Sequence, residues 1–78
     1  MNELEVIRQK RKQEHRYGDV RKACEAAGVT PPIFQKALRK QSLDELTKKE
    51  LEVMKAYVKI IDERKNDIEE FKNNIINL

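Results

Sequence analysis

Residues 20–39, VRKACEAAGVTPPIFQKALR, contain the signals that decide the fold. Gly28 suits the turn that follows a helix, because glycine adopts the left-handed backbone conformation at no steric cost. Thr30 is a favourable helix cap, and Pro31 falls at the first helical position, where its missing amide hydrogen loses no hydrogen bond. The stretch therefore predicts two short helices, over about 20–27 and 31–40, joined by a turn.

The composition of these two helices indicates how they pack. Two helices joined by a glycine-containing turn can cross at about 90–120° when small side chains line the crossing. The small residues here are Ala23, Cys24 and Ala27, and larger or apolar contacts come from Val29, Phe34, Ala37 and Leu38. We therefore expect one shared core, in which Cys24 is a buried contact rather than a reactive thiol.

The spacing of Cys24, Gly28, Val29 and Thr30 resembles the helix-turn-helix of prokaryotic and phage DNA-binding regulators. In that superfamily a small residue, three spacers, a glycine, an apolar residue and a Ser/Thr cap precede the second helix. The resemblance implies that the helix at 31–40 enters the major groove while the helix at 20–27 crosses the phosphate backbone. The DNA-binding residues that it implies are Arg21, Lys22, Thr30, Pro31, Pro32, Gln35, Lys36, Arg39 and Lys40.

The helix at 31–40 carries side chains that can read base edges. Gln35 can bond an adenine, and Lys36 or Arg39 a guanine, whereas the other cations would contact phosphates and position the protein. Pro31 and Pro32 depart from the usual pattern, because neither donates a hydrogen bond. Reading at the start of this helix would therefore rely on shape or on contact with thymine methyl groups.

A further helix is predicted before this pair. Asn2 and Glu5 stand at the spacing of a capping box, which predicts a helix over 2–16. Tyr17, Gly18 and Asp19 should end it, with Gly18 in the left-handed conformation and Asp19 as the cap of the next helix. Its later turns are basic and should face solvent or a ligand.

Two more capping-box spacings, Ser42 to Glu45 and Thr47 to Glu50, follow the pair. The first predicts a single turn, and the second predicts the start of a helix that runs to Leu78 without glycine or proline. We expect an all-α fold, a helix-turn-helix bundle of three to four helices with a long, coiled-coil-like C-terminal helix. Residues 1–46 would form a DNA-binding head and 47–78 a dimerising helix.

Apolar residues of the last helix recur at heptad spacing, which is typical of coiled coils. Beyond Ile61 nothing else in the chain is expected to cover this stripe, so we predict a homodimer or higher homo-oligomer. The alternative is that the helix bends back or frays after Asn73 and Asn74. The predicted dimerisation residues are Met54, Tyr57, Ile61, Arg64, Ile68, Phe71, Ile75 and Leu78. Arg64 is the one charged residue among them. A carboxylate of the partner could form an ion pair with it in a parallel or an antiparallel pair of helices.

Charge is distributed unevenly along the chain. Residues 1–41 carry ten basic and five acidic side chains, whereas residues 42–78 carry seven basic and nine acidic ones. The first part therefore has a net charge of +5 and the second of −2. A basic part of this kind favours a polyanionic partner, and here double-stranded DNA is the one that agrees with the motif.

Composition argues against several function classes. The 78 residues include one cysteine and one histidine, Cys24 and His15, which favours a reducing compartment and no metal site. No phosphate-binding glycine loop or nucleophile with a paired base is evident, so we expect no enzyme, no cofactor and no small-molecule ligand. No apolar run approaches the roughly 20 residues that span a bilayer, so we expect a cytoplasmic protein without membrane contact.

The sequence thus predicts a small transcriptional regulator that binds DNA as a dimer. The alternative is a helical assembly module that acts through its C-terminal apolar stripe, with an incidental basic face. A third possibility, an architectural or single-strand-binding protein, is disfavoured because the chain has no tryptophan and few aromatic residues to stack on bases.

Overall fold

The computed structural model describes residues 3–14 and 18–77, and for Glu14 only the backbone. The described part contains four α-helices and one 3-10 turn, with no strand. The helices are α1 (Glu3–Glu14), α2 (Asp19–Ala27), α3 (Pro31–Leu38) and α4 (Lys48–Ile76), and the turn spans Leu43–Glu45. The predicted all-α fold with a long C-terminal helix is confirmed.

The turn between α2 and α3 forms as predicted. Gly28 has φ 70 and ends α2 in the left-handed conformation. The amide of Val29 donates to the carbonyl of Cys24 over 3.0 Å, which completes a Schellman motif. Pro31 begins α3 and Thr30 occupies the cap position, although the Thr30 side chain makes no capping hydrogen bond. Backbone geometry, rather than this hydroxyl, therefore defines the start of α3.

Two helix boundaries differ from the prediction. Gly18, with φ 92, precedes α2, and Asp19 lies inside its first turn as a buried residue rather than at the cap. At the other end, α3 stops at Leu38 instead of residue 40. The amides of Arg39 and Lys40 donate to carbonyls only three residues back, over 3.2 Å each, so the last turn tightens and the α-helical pattern ends. Asn2, His15, Arg16 and Tyr17 lie outside the described residues.

The start of α4 confirms one predicted capping box, while the spacing before it forms none. The Thr47 hydroxyl accepts from the amide of Glu50 over 3.2 Å, and the Glu50 carboxylate accepts from the amide of Thr47 over 2.9 Å. Ser42 makes no side-chain capping bond, because the amide of Glu45 donates to the Ser42 carbonyl over 3.2 Å. The Glu45 carboxylate accepts from the amide of Gln41, also over 3.2 Å, rather than from that of Ser42. Only the second spacing therefore works as a reciprocal cap.

The first half of α4 forms the centre of the core, and α2 and α3 both pack against it. The rings of Phe34 and Tyr57 lie 4.8 Å apart at a tilt of 58°, which joins α3 directly to α4. The buried apolar residues are Leu4, Ala23, Cys24, Ala27, Phe34, Ala37, Leu38, Val53, Met54, Tyr57 and Ile61. The predicted boundary at residue 46 therefore does not separate two packing units, because half of α4 completes the core of the head.

This arrangement corrects half of the predicted dimerisation surface. Met54, Tyr57 and Ile61 are at most 1% exposed and contact the chain's own core, so they do not offer a face to a partner. Arg64 donates to the buried carboxylate of Asp19 over 2.8 Å, so an acceptor from this same chain takes the place of the expected partner carboxylate. The heptad pattern is the same whether an apolar stripe covers its own domain or another chain.

Beyond Arg64, α4 leaves the body of the protein. The helix is continuous through Asn73 and Asn74 to Ile76, so it does not bend back. Its 29 residues would span about 43 Å, and the longest dimension of the structure is 47 Å. Side chains from 65 to 77 are all exposed, including Phe71 at 65% and Ile75 at 50%. Leu78 lies outside the described residues.

The buried carboxylate of Glu50 should make stability depend on pH. Hydrogen bonding by Thr47, above all from its backbone amide, together with the charges of Lys40 and Lys36 holds the pKa of Glu50 below its usual 4.5, against the effect of burial. A lowered folded-state pKa adds stability above the unfolded-state pKa, and this contribution is lost as pH falls through the folded-state value. Glu50→Gln should therefore be less stable than wild type at neutral pH, with the difference shrinking below pH 4.5. Urea unfolding of both proteins across this range measures it, and a difference independent of pH would contradict the account.

Candidate nucleic-acid interface

The exposed side of α3 combines positive charge with an absence of carboxylates. The helix sequence PPIFQKAL contains no acidic residue, and it buries Phe34, Ala37 and Leu38 on one side. On the other side Pro31, Pro32 and Lys36 are exposed, as are the flanking Thr30 and Arg39. Gln35 and Lys40 are half-buried and therefore less accessible than these neighbours. The predicted residues between 30 and 40 therefore lie on or next to α3, while Arg21 and Lys22 lie in α2, and the members of the set are not equally accessible.

Lys36 and Arg39 are the most available cations of this set. Both side chains are exposed, and neither forms an ion pair within the residues that the structure describes. They stand three residues apart, so they lie on neighbouring turns of the same face. The two residues can therefore approach a polyanion together without first breaking an ion pair, although the charge of Lys36 also acts on the Glu50 carboxylate.

Lys40 forms an ion pair within the fold, whereas the prediction placed it on the outer surface of the helix. Its ammonium nitrogen lies 3.9 Å from the Glu50 carboxylate, which is almost completely buried. This position helps to balance the charge of Glu50 at the start of α4. Lys40 takes this position because α3 ends at Leu38 and the turn that follows directs Lys40 toward α4.

Arg8 and Arg11 belong to the basic turns of α1 that were expected to face solvent or a ligand, but they connect α1 to α3. The Arg8 guanidinium donates to the carbonyl of Leu38 over 2.8 Å and to that of Lys40 over 3.3 Å. These carbonyls lie at the end of α3, where a cation is favourable. Arg11 stacks over the Phe34 ring at 5.7 Å. Both arginines thus position α3 instead of facing solvent.

The contact between Arg11 and Gln35 affects the proposed reading of adenine. The Arg11 guanidinium donates to the side-chain oxygen of Gln35 over 3.5 Å, a long hydrogen bond. A bidentate contact with adenine uses both the oxygen and the amino group of the amide. Reading adenine therefore requires Arg11 to share or release that oxygen, whereas the amino group of Gln35 can donate without this change.

Among the remaining cations of α1 and α2, one pairs with another helix and the others are exposed. Lys10 pairs with Asp62 over 3.1 Å, which ties α1 to α4. Arg21 pairs with Glu25 over 3.1 Å, but both side chains are highly exposed, and such a pair is weak enough to exchange for a phosphate. Lys12 and Lys22 are exposed. Among the described cations of α1 and α2, Lys12, Arg21 and Lys22 are therefore the most accessible to a polyanion.

The depression at the end of α3 and the thiol of Cys24 offer little to a ligand. A depression of 560 Å³ at the end of α3 is lined by Glu5, Arg8, Arg39, Lys40 and Gln41, but a carboxylate stands in it and two of its cations are already bonded. Cys24 is 3% exposed, and burial raises the pKa of its thiol, which keeps it protonated and unreactive.

The described residues contain no cluster of three metal-ligating side chains. Within the same part of the chain, none of the helices combines the length and apolar character needed to cross a bilayer. Comparison of the chain with protein-family models, curated proteins and solved structures gives no match.

Proposed function

We propose that this chain is a small DNA-binding protein that places α3 in the major groove. The observation that carries the proposal is the outer face of α3, which has no carboxylate and presents Lys36 and Arg39 unpaired among the described residues. The resemblance of residues 19–40 to the helix-turn-helix of prokaryotic and phage regulators supports the same role. A transcriptional regulator is the function that agrees with both.

The proposed complex assigns each part of the surface a role. Lys36 and Arg39 reach guanine edges, and the Gln35 amino group donates to a neighbouring base acceptor. Pro31 and Pro32 supply apolar contact at the start of α3, where they suit thymine methyl groups. The cations at the start of α2 and in the later part of α1 contact phosphates and fix the register.

The double substitution Lys36→Ala/Arg39→Ala tests this role. Each bidentate base contact contributes about 1–3 kcal/mol of discrimination, so we expect the affinity for a specific duplex to fall at least tenfold. Lys55→Ala/Lys59→Ala is the matched control, because it removes the same charge from exposed positions of α4. Fluorescence anisotropy of labelled duplex DNA measures both. Equal affinity of the first variant and wild type would exclude α3 as the reading element.

The exposed end of α4 favours a second candidate, a helical interaction or assembly module. Phe71 is 65% exposed and Ile76 78%, which is unusual for large apolar side chains close together on one helix. Under this alternative, Ile68→Asp or Phe71→Asp abolishes the interaction made by the end of α4, while substitutions in α3 have no effect on it. Under the DNA-binding proposal, substitutions in α3 weaken the binding of duplex DNA at every protein concentration.

A further inference from the structure

We propose that the free end of α4, residues 65–77, pairs in parallel with the same segment of a second copy of this chain. Within the described part of α4 beyond Arg64, the apolar residues at the heptad positions are Ile68, Phe71 and Ile75, which are 37%, 65% and 50% exposed. These residues continue the line of core positions Tyr57 and Ile61 past the point where the body ends. They recur at intervals of three and four residues, which places them on one face of the helix.

Arg64 defines where the pairing segment begins. Its side chain is bonded to Asp19 of the same chain over 2.8 Å, so a guanidinium separates the domain core from the free stripe. The first half of α4 is anchored in the core, and the free segment is already helical. Pre-ordering of this kind lowers the entropic cost of association, which allows a short stripe to pair reversibly.

The side chains that flank the stripe have opposite charge on its two sides. Lys65 and Lys72 lie seven residues apart on one side, and Asp67 and Asn74 lie seven residues apart on the other. In a parallel pair, the flank that carries Asp67 of one copy faces the flank that carries Lys72 of the other. Two-fold symmetry repeats this contact, so a parallel dimer gains two attractive pairs.

An antiparallel pair has the opposite electrostatic character. In that orientation each flank meets the same flank of the other copy, so Lys65 and Lys72 face lysines across the interface. Asp67 then faces the neutral Asn74 rather than a cation. Charge complementarity therefore selects the parallel orientation, which also places the two α3 helices on the same end of the dimer. The inference does not depend on DNA binding and is tested without DNA.

Sedimentation equilibrium of the full chain tests both the partner and the orientation. Lys72→Glu replaces two attractive pairs by two repulsive ones, so we expect the dissociation constant of the dimer to rise about tenfold. Asp67→Lys should have a similar effect, and Asp67→Lys combined with Lys72→Glu should restore wild-type association. Lys59→Glu is the matched control, since it makes the same charge change on the opposite side of α4 and should leave association unchanged.

Two results would overturn the proposal. A tighter dimer in Lys72→Glu would show antiparallel pairing, because the substitution then relieves repulsion between lysines. A wild-type chain that stays monomeric at all accessible concentrations would show that another partner, or none, covers the stripe.

A distance measurement gives an independent test of orientation. A spin label on Glu63→Cys, in a Cys24→Ala background, places one label per copy just before the free segment. In a parallel dimer the two labels lie at the same level across the helix pair. In an antiparallel dimer the register displaces them by roughly 20–30 Å along the axis. Pulsed electron paramagnetic resonance distinguishes these arrangements, and the longer distance would contradict the parallel dimer.

Discussion

Phe34→Ala is expected to lower the free energy of unfolding by about 3–5 kcal/mol, because it removes a fully buried aromatic ring and leaves a cavity. The ring is 0% exposed, lies 4.8 Å from the ring of Tyr57 and supports the guanidinium of Arg11. Its loss therefore removes one contact between α3 and α4 and another between α3 and α1. A protein of this size is only marginally stable, so the variant should be largely unfolded at moderate urea concentrations.

Phe71→Ala is the matched control for this prediction. It makes the same chemical change on the exposed end of α4, where substitutions usually alter stability by no more than about 0.5 kcal/mol. Urea unfolding followed by circular dichroism, at a protein concentration low enough to keep the chain monomeric, measures both variants. Similar losses for the two would contradict the packing described for α3.

Asp19→Ala is expected to destabilise the protein by about 2–3 kcal/mol, the second largest effect. Removing one partner of a buried pair leaves the other charge without compensation, and Asp19 is 2% exposed. The estimate lies below the usual range for fully buried pairs because the Arg64 side chain is 23% exposed and can recover some hydration. The contact joins the start of α2 to the middle of α4, so its loss should loosen both.

The comparison that isolates this contact is Asp19→Ala against Asp19→Ala/Arg64→Met. Removing the guanidinium as well should return part of the lost stability, because the charge that Asp19 balanced is then no longer present. Glu25→Ala, which removes the exposed partner of Arg21, should change stability by at most about 0.5 kcal/mol. Thermal unfolding measures the series. A double variant less stable than Asp19→Ala alone would show that Arg64 stabilises the fold through other contacts.

Local signals in the sequence predicted the turns and helix starts well. Gly28 and Pro31 have strong conformational preferences of their own, and the reciprocal bonds of Thr47 and Glu50 need only each other. These features act over a few residues, so tertiary contacts do not override them. Asp19 was misplaced for the opposite reason, because a distant arginine rather than its own backbone determines its role.

The heptad stripe shows why tertiary packing was harder to predict. Tyr57 and Phe71 both fall at the same heptad position, yet one is 0% exposed and the other 65%. Periodicity identifies the apolar face of a helix, but it does not identify the surface that covers this face. That distinction required the positions of α2 and α3 along α4, which set the end of the body at Arg64.

The candidate interface shows a similar limit for charge. Counting cations predicted a basic surface, but Arg8, Lys10, Arg11 and Lys40 are bonded within the fold. A helix end, a buried ring and two carboxylates supply their partners, and each of these lies far from its cation in sequence or depends on where a helix stops. Lys36 and Arg39 emerge as the most available pair only after these contacts are known.

Fluorescence anisotropy of labelled duplex DNA tests the central claim most directly. One duplex carries the region upstream of the protein's own coding sequence, another carries a scrambled version, and each is titrated at two salt concentrations. The account predicts tight binding to the first and weaker, steeply salt-dependent binding to the second. Equal binding to both would contradict sequence-specific reading by α3, and no binding at low salt would contradict DNA binding altogether.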